Sequence, residues 1–145
     1  MHPFPHHYHA TVSSLSSDFG ATIASPGLVT TSVGAPAEFG GTGTDWSPET
    51  LLVGAVGSCF ILGFRMIATA SKLEWKDVRC AVEGKLERDA AGMRFTEITI
   101  QATLVVPDEH NSSRAERILQ KAKESCLVTN SLSATVHFSQ VTQIG

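Results

Sequence analysis

From Val78 onward the chain alternates between apolar and polar positions. Val78, Cys80, Val82 and Leu86 fall on one side of the repeat, and Arg79, Glu83, Lys85 and Glu87 on the other. The same period of two returns through Ile98, Ile100, Ala102, Leu104 and Val106, with "DAAG" as a turn between the runs. A period of two is that of a strand with one buried face, so the pattern predicts a β-hairpin with one wet face. Pro107 ends its second strand.

Two stretches carry a helical pattern instead. In "HNSSRAERILQKAKESC", Ala115, Ile118, Leu119, Ala122 and Cys126 follow the 3-4-4 spacing of one apolar helix face. Asn111 to Ser113 supply the cap, and Asn130 is suited to end the helix. The other stretch starts at Ser47, a good N-cap, with Pro48 suited to the first helical position and Glu49 in the first turn. This helix is expected to run to about Ala70. From Leu51 to Phe64 it is apolar all round, which requires cover on both sides. A single small sheet covers one side, so a second helix or a second subunit must cover the other. The run is too short for a comfortable membrane span, and Gly54, Gly57, Ser58 and Gly63 interrupt it, so it reads as a buried helix.

The first 45 residues are rich in Thr, Ser, Gly and Val. "YHATVSSL", "FGATIAS" and "LVTTSV" predict two or three short antiparallel strands separated by turn formers. "GAPAEFGGTGTDW" reads as loop, and "SATVHFSQV" as a last strand. The order is strands, long buried central helix, hairpin, second helix, final strand. That is an α+β domain, and residues 1–145 are read as one.

Composition narrows the function classes. Of 145 residues, 42% are hydrophobic and 17% charged, as in a globular domain. The formal charge is −3 and no Lys/Arg cluster occurs, which argues against nucleic acid and anionic membranes as partners. The N-terminus lacks the basic start and apolar core of a secretory signal, so a cytoplasmic location is expected. Three scattered cysteines (Cys59, Cys80, Cys126) form no CxxC or Cys/His zinc spacing. "HPFPHHYH" lacks partner ligands at useful spacing, so neither metal nor cofactor is expected.

Four residues could carry chemistry. Cys59 sits in the apolar helix, where it can be a small core residue or a reactive thiol. Cys126 has the same two readings. At the end of a helix it is poorly placed as a primary thiolate and better suited to resolve an oxidised partner. Cys80, between Val78 and Val82, reads as packing. Glu49 reads as a first-turn charge or as part of a cysteine site. It lies ten residues before Cys59, ~15 Å of helix rise, so it can serve only a Cys59 other than its own, most simply across a dimer interface.

"SPETLLVGAVGSCF", followed by "KAKESCLVTNSL", resembles the osmotically inducible protein C / organic hydroperoxide resistance (OsmC/Ohr) family. The first block resembles the family's "NPEELL-small-small-small-SC" helix start and the second its "A-x-x-x-C-P-V-S-N" block. The likeness runs from about Asp45 to Leu132. It implies an intertwined α+β homodimer with two active sites at the interface. It also implies a thiol peroxidase that reduces organic hydroperoxides to alcohols. Carried over, Cys59 is the peroxidatic cysteine, Cys126 the resolving one and Glu49 the carboxylate that organises the site. Asn130 matches a motif asparagine without a clear catalytic role. The reductant implied is a dithiol such as a lipoylated protein. The alternative is a non-catalytic OsmC-like protein that binds a small apolar or electrophilic ligand at the dimer interface.

Two departures stand out. The family pairs its glutamate with an arginine from the N-terminal strand region. This chain has no Arg or Lys before Arg65, and the matching "SSLSSDFGA" offers Ser16, Ser17 and Asp18. Arg65 lies about 240° round the helix from Cys59 and points elsewhere. Leu127 stands where the family usually has Pro.

Overall fold

A computed structural model describes residues 1–145. The chain divides into two compact units, Met1–Leu51 and Leu52–Gly145. The first holds three short strands, β1 (Thr11–Ser13), β2 (Ala21–Ala24) and β3 (Thr31–Val33), paired antiparallel in the order β1-β2-β3. Where sequence predicts plain loop, a single 3-10 turn forms over Ala37–Phe39. Val33 then meets Trp46 in a parallel bridge, and the Gly34 N–H donates to the Trp46 carbonyl at 3.0 Å.

The long helix α1 (Pro48–Ala70) starts where its cap signals place it. The Thr50 N–H donates to Ser47 Oγ at 3.1 Å, and the Ser47 N–H donates to Thr50 Oγ1 at 2.8 Å. This reciprocal pair is a capping box with threonine as its second member. The helix ends at Ala70, where the sequence places its end. At 23 residues α1 is long and apolar enough to cross a bilayer, on length and composition alone, although the Leu51–Phe64 run by itself is too short. Val56, Phe60, Phe64 and Ala68, spaced four apart, form its buried face.

Within one copy α1 is covered on one face only, and Leu62 and Met66 keep 61% and 66% of their surface exposed. Beyond Ala70 the chain turns through Lys72 in the left-handed region (φ 51°), and the Leu73 N–H reaches the Ala68 carbonyl at 2.9 Å. That is a Schellman ending with lysine in the position glycine favours.

The predicted hairpin is present as β4 (Asp77–Asp89) and β5 (Gly92–Val106). Thr96 is an extra residue opposite the Lys85/Leu86 step, and this bulge interrupts the alternation. Leu86, expected inside, is 38% exposed, in the outer part of the hairpin where β4 is exposed from Lys85 to Asp89. At Gly84 a Cβ would come within 2.7 Å of the Phe95 ring, so glycine lets that ring lie against the strand.

Helix α2 (Glu109–Glu124) begins earlier than Asn111. Its cap is Asp108, whose carboxylate accepts from the Asn111 N–H at 2.9 Å. Asn111 is buried and works elsewhere: its Oδ1 accepts from the Glu74 N–H at 2.9 Å. Arg114 donates to the Ser71 carbonyl at the end of α1. The final strand β6 (Thr135–Ile144) pairs parallel with β5, giving the order β4-β5-β6.

Ala115, Ile118, Leu119 and Ala122 of α2 share a core with Phe60, Phe64 and Ala68 of α1 and Ala102, Leu104 and Val106 of β5. A second, smaller core gathers Val56, Ile98 and Ile100. Phe60 and Phe64 are completely buried, and the removal of each ring from water contributes on the order of 2–3 kcal/mol. Phe60 lies against Phe138, with ring centroids 5.6 Å apart.

Candidate functional site

Cys59 precedes Phe60 on α1 and is half-buried. The helix expected to carry Cys126 stops short of it. α2 ends at Glu124, Ser125 closes it, and a new single turn, α3 (Leu127–Asn130), starts after Cys126. Cys126 is therefore the N-cap of α3, a correction to its reading as the last residue of an α2 face. The break follows from local bonds. The Ser125 N–H and hydroxyl both return to the Lys121 carbonyl, at 3.0 and 2.9 Å. The Cys126 carbonyl then accepts from the Asn130 N–H and the Thr129 hydroxyl, both at 3.0 Å. Asn130 Nδ2 reaches back to the Glu124 carbonyl at 3.1 Å. Asn130 thus ties the end of α2 to α3 and holds the segment that carries Cys126.

This segment brings Cys126 near enough to Cys59 for the two thiols to influence each other's ionisation. Cys126 is buried. Burial is the largest influence on Cys59 and disfavours its thiolate. The Val128 N–H faces the sulfur and works the other way, the neighbouring Cys126 adds to the burial effect, and the Leu127 N–H again favours the anion. The balance holds the Cys59 thiol above its ordinary value.

Cys80, half-buried on β4, packs against both cores and lies near enough to Cys126 to feel its charge. Burial, then Cys126, push its thiol up to about 11. All three cysteines thus converge on one region of the second unit. A thiol held that high is protonated at neutral pH, which agrees with its reading as packing.

Glu49 does not join them. It stands ten positions earlier on α1, ~15 Å of helix rise from Cys59. Arg65 is engaged with Trp75, its guanidinium carbon 5.4 Å from the ring centroid. Glu49 instead borders a cavity of about 460 Å³ in the first unit, together with Val12, Phe19, Val33 and Phe39. Asp18, from the segment that replaces the arginine region, borders the same space. One oxygen of Glu49, Oε2, is shut off from solvent and has no hydrogen-bond partner.

Sequence reasoning missed this cavity and the donors at Leu127 and Val128. Backbone N–H groups leave no trace in side-chain identity. The cavity is assembled from short strands and a turn whose spacing in sequence carries no period. No group of three or more His, Cys, Asp or Glu residues is arranged to hold a metal ion.

Comparison with known proteins places this geometry. Residues 41–140 match the family model described as OsmC-like protein. A relative in Bacillus subtilis (strain 168), the uncharacterized protein YmaD, is 27% identical over 120 residues, covering 79% of this chain and 78% of the relative. An OsmC-like protein of unknown function from Vibrio cholerae superposes with a TM-score of 0.84 at 19% identity, over 94% of this chain and 100% of that one. The organic hydroperoxide resistance protein OsmC of Legionella pneumophila gives 0.76 at 21% identity, over 97% of this chain and 99% of that one. The organic hydroperoxide resistance protein OhrB of Bacillus subtilis gives 0.66 at 17% identity, over 95% and 98%. The α+β order, the two sheets and the match across most of the chain agree: this chain belongs to the OsmC-like protein family.

Proposed function

We propose that the chain has a role in peroxide resistance and is a thiol-dependent peroxidase for organic hydroperoxides. The observation that carries this reading is the pairing of Cys59 with Cys126. Support comes from relatives of the same fold that are named organic hydroperoxide resistance proteins. In the first step the Cys59 thiolate attacks the terminal peroxide oxygen and breaks the O–O bond. Cys59 becomes a sulfenic acid, and the alkoxide leaves as the alcohol after taking a proton. Cys126 then condenses with the sulfenic acid, forming a disulfide and releasing water, before further oxidation occurs. An external dithiol, such as a lipoyl group on a protein, reduces the disulfide and is itself oxidised to one. The working unit is a homodimer in the cytoplasm, in which Glu49 of a second copy approaches Cys59. The bare apolar face of α1 around Leu62 and Met66 supports this assembly.

With its thiol held high, Cys59 carries little thiolate at neutral pH, so turnover is slow there and rises with pH. The test is mass spectrometry after mild cumene hydroperoxide treatment, alongside turnover with dihydrolipoamide. Wild type is expected to form the Cys59–Cys126 disulfide and consume peroxide, and Cys59→Ser to do neither. Equal, slow consumption by both proteins would refute the proposal.

The raised Cys59 thiol and the missing arginine favour a second reading. Here the chain is a non-catalytic relative that binds a small apolar or electrophilic ligand. It predicts stabilisation by ligand without turnover, and no Cys59–Cys126 disulfide.

A further inference from the structure

All three thiols lie in the second unit, and the peroxide chemistry proposed above uses two of them. Cys80 is the third. It sits on the inward face of β4 between Val78 and Val82 and pairs across the sheet with Ala102. Cys80 and Phe138 are the two half-buried side chains that pack against both hydrophobic cores, so they mark the junction between them. Cys126 lies at the same junction. Ala122, one turn before it on α2, belongs to the larger core, and Val128, two residues after it, packs against the smaller. Cys126 is also near enough for its charge to act on the Cys80 thiol. Phe138 in turn meets Phe60, the neighbour of Cys59, with ring centroids 5.6 Å apart.

Access separates the two neighbours of Cys126. Cys126 itself is only 2% exposed. Once it is joined to Cys59, a dithiol arriving from solvent meets the sulfur of half-buried Cys59 and not that of Cys126. Cys80 needs no path from solvent, because it already packs in the interior at the junction that holds Cys126. Thiol–disulfide exchange requires a thiolate with access to one sulfur of the disulfide and nothing more. Cys80 is the one thiol of the chain that can meet Cys126 from within.

We propose that Cys80 is an internal exchange partner of Cys126, through which the Cys59–Cys126 disulfide passes inward to Cys80 and Cys126 and releases Cys59. The exchange rests on the peroxidase reading, which supplies the first disulfide. The Cys80 thiolate attacks the Cys126 sulfur. A Cys80–Cys126 bond forms, the Cys59–Cys126 bond breaks, and its electron pair leaves on Cys59, which takes up the proton that Cys80 gave. One thiol is oxidised and one disulfide sulfur reduced, so no further oxidant or reductant enters. The step is slow at neutral pH, since burial keeps the Cys80 thiol protonated until about pH 11. Prompt reduction of Cys59–Cys126 from outside outruns it. When reductant is scarce the oxidised pair moves into the interior, and Cys59 is left free but without its resolving thiol. The next peroxide then carries Cys59 past the sulfenic acid to the sulfinic acid. Cys80 thus makes the site limit itself under sustained oxidation.

The experiment maps disulfides by mass spectrometry in two arms, on protein of monomer mass in non-reducing electrophoresis. In the first, wild type is oxidised with one equivalent of cumene hydroperoxide at pH 7, stepped to pH 8 or pH 9 without reductant, and sampled over time with N-ethylmaleimide. The Cys59–Cys126 link is expected first. The Cys80–Cys126 link should replace it as Cys59 becomes open to alkylation, about tenfold faster at pH 9 than at pH 8, as the thiolate fraction of Cys80 rises. Cys80→Ala should hold the disulfide at Cys59–Cys126. In the second arm, Cys59→Ser is treated with diamide, which oxidises neighbouring thiol pairs without peroxide, and Cys80–Cys126 is expected to form directly. A wild-type disulfide that stays at Cys59–Cys126, or a diamide arm in which Cys80 and Cys126 remain unlinked, would each overturn the proposal. Both of these readouts stand even where Cys80→Ala fails to fold. Absence of any Cys59–Cys126 link after cumene hydroperoxide counts against the peroxidase reading instead, and the diamide arm, which needs no Cys59, still decides whether Cys80 pairs with Cys126.

Discussion

The two units are built by opposite means. The second unit contains both hydrophobic cores, with Phe60, Phe64, Ile98, Ile100 and Leu104 fully buried. The first has one buried hydrophobic residue, Val33, and leaves Val12, Leu15, Phe19, Leu28 and Val29 open, Phe19 completely so. Three short strands with no apolar face covered are marginal on their own. The second unit is thus held by its own packing. The first is built from turns and ladder hydrogen bonds, and its apolar side chains stay exposed.

The largest test of this contrast is a pair of aromatic truncations. Phe64→Ala is expected to cost about 3–5 kcal/mol in urea unfolding, through lost transfer energy and the cavity left behind. Phe19→Ala at low protein concentration should change stability by less than about 0.5 kcal/mol, because an exposed ring buries nothing. A comparable loss for Phe19→Ala would mean that the first unit has cover of its own.

Ser47→Ala probes the capping box at the start of α1. It is expected to cost about 0.5–2 kcal/mol, and amide exchange should show fraying confined to the first turn of α1. Uniformly faster exchange over the whole helix would show that the cap, and not packing on Phe60 and Phe64, holds α1.

The third test concerns the thiols. Alkylation of Cys59 by iodoacetamide follows its thiolate fraction, and its thiol is held above the ordinary value. The rate should therefore climb with pH and still be rising where an ordinary thiol levels off. Leu127→Pro removes one N–H that favours the anion, at the first position of α3, where proline is tolerated. The whole curve should move to higher pH. An unmoved curve would show that Leu127 contributes nothing to Cys59.

The smallest effect is a gain. Lys72 occupies the left-handed position at the end of α1. Lys72→Gly should stabilise the second unit by about 0.5–1 kcal/mol in the same urea assay, since glycine adopts that conformation without steric cost. A loss would mean that the lysine side chain has a role in the ending.

How legible these features are in sequence follows the same division. Period and cap signals locate α1, the hairpin and the buried face of α2, because burial inside one chain writes the periodicity that betrays it. The bulge at Thr96 shifts β5 by one residue against β4, and no period in the sequence marks it. The break between α2 and α3 rests on Ser125, Thr129 and Asn130 bonding to nearby carbonyls, a competition that propensity alone does not resolve. Candidate chemistry divides in the same way. The Cys59–Cys126 pairing is visible through family resemblance. The orphaned oxygen of Glu49 is not, because it depends on what the chain fails to bring near.

The parallel pairing of β5 with β6 has a kinetic consequence. The β4–β5 hairpin closes over a short turn, but β6 reaches β5 only after α2 and α3 have crossed between them. Contacts across so long a loop form late. Until they do, the ten positions from Glu97 to Val106 that pair with β6 stand as an open edge rich in Ile, Thr and Val. During synthesis that edge is the part of the molecule most prone to pair with a neighbouring chain.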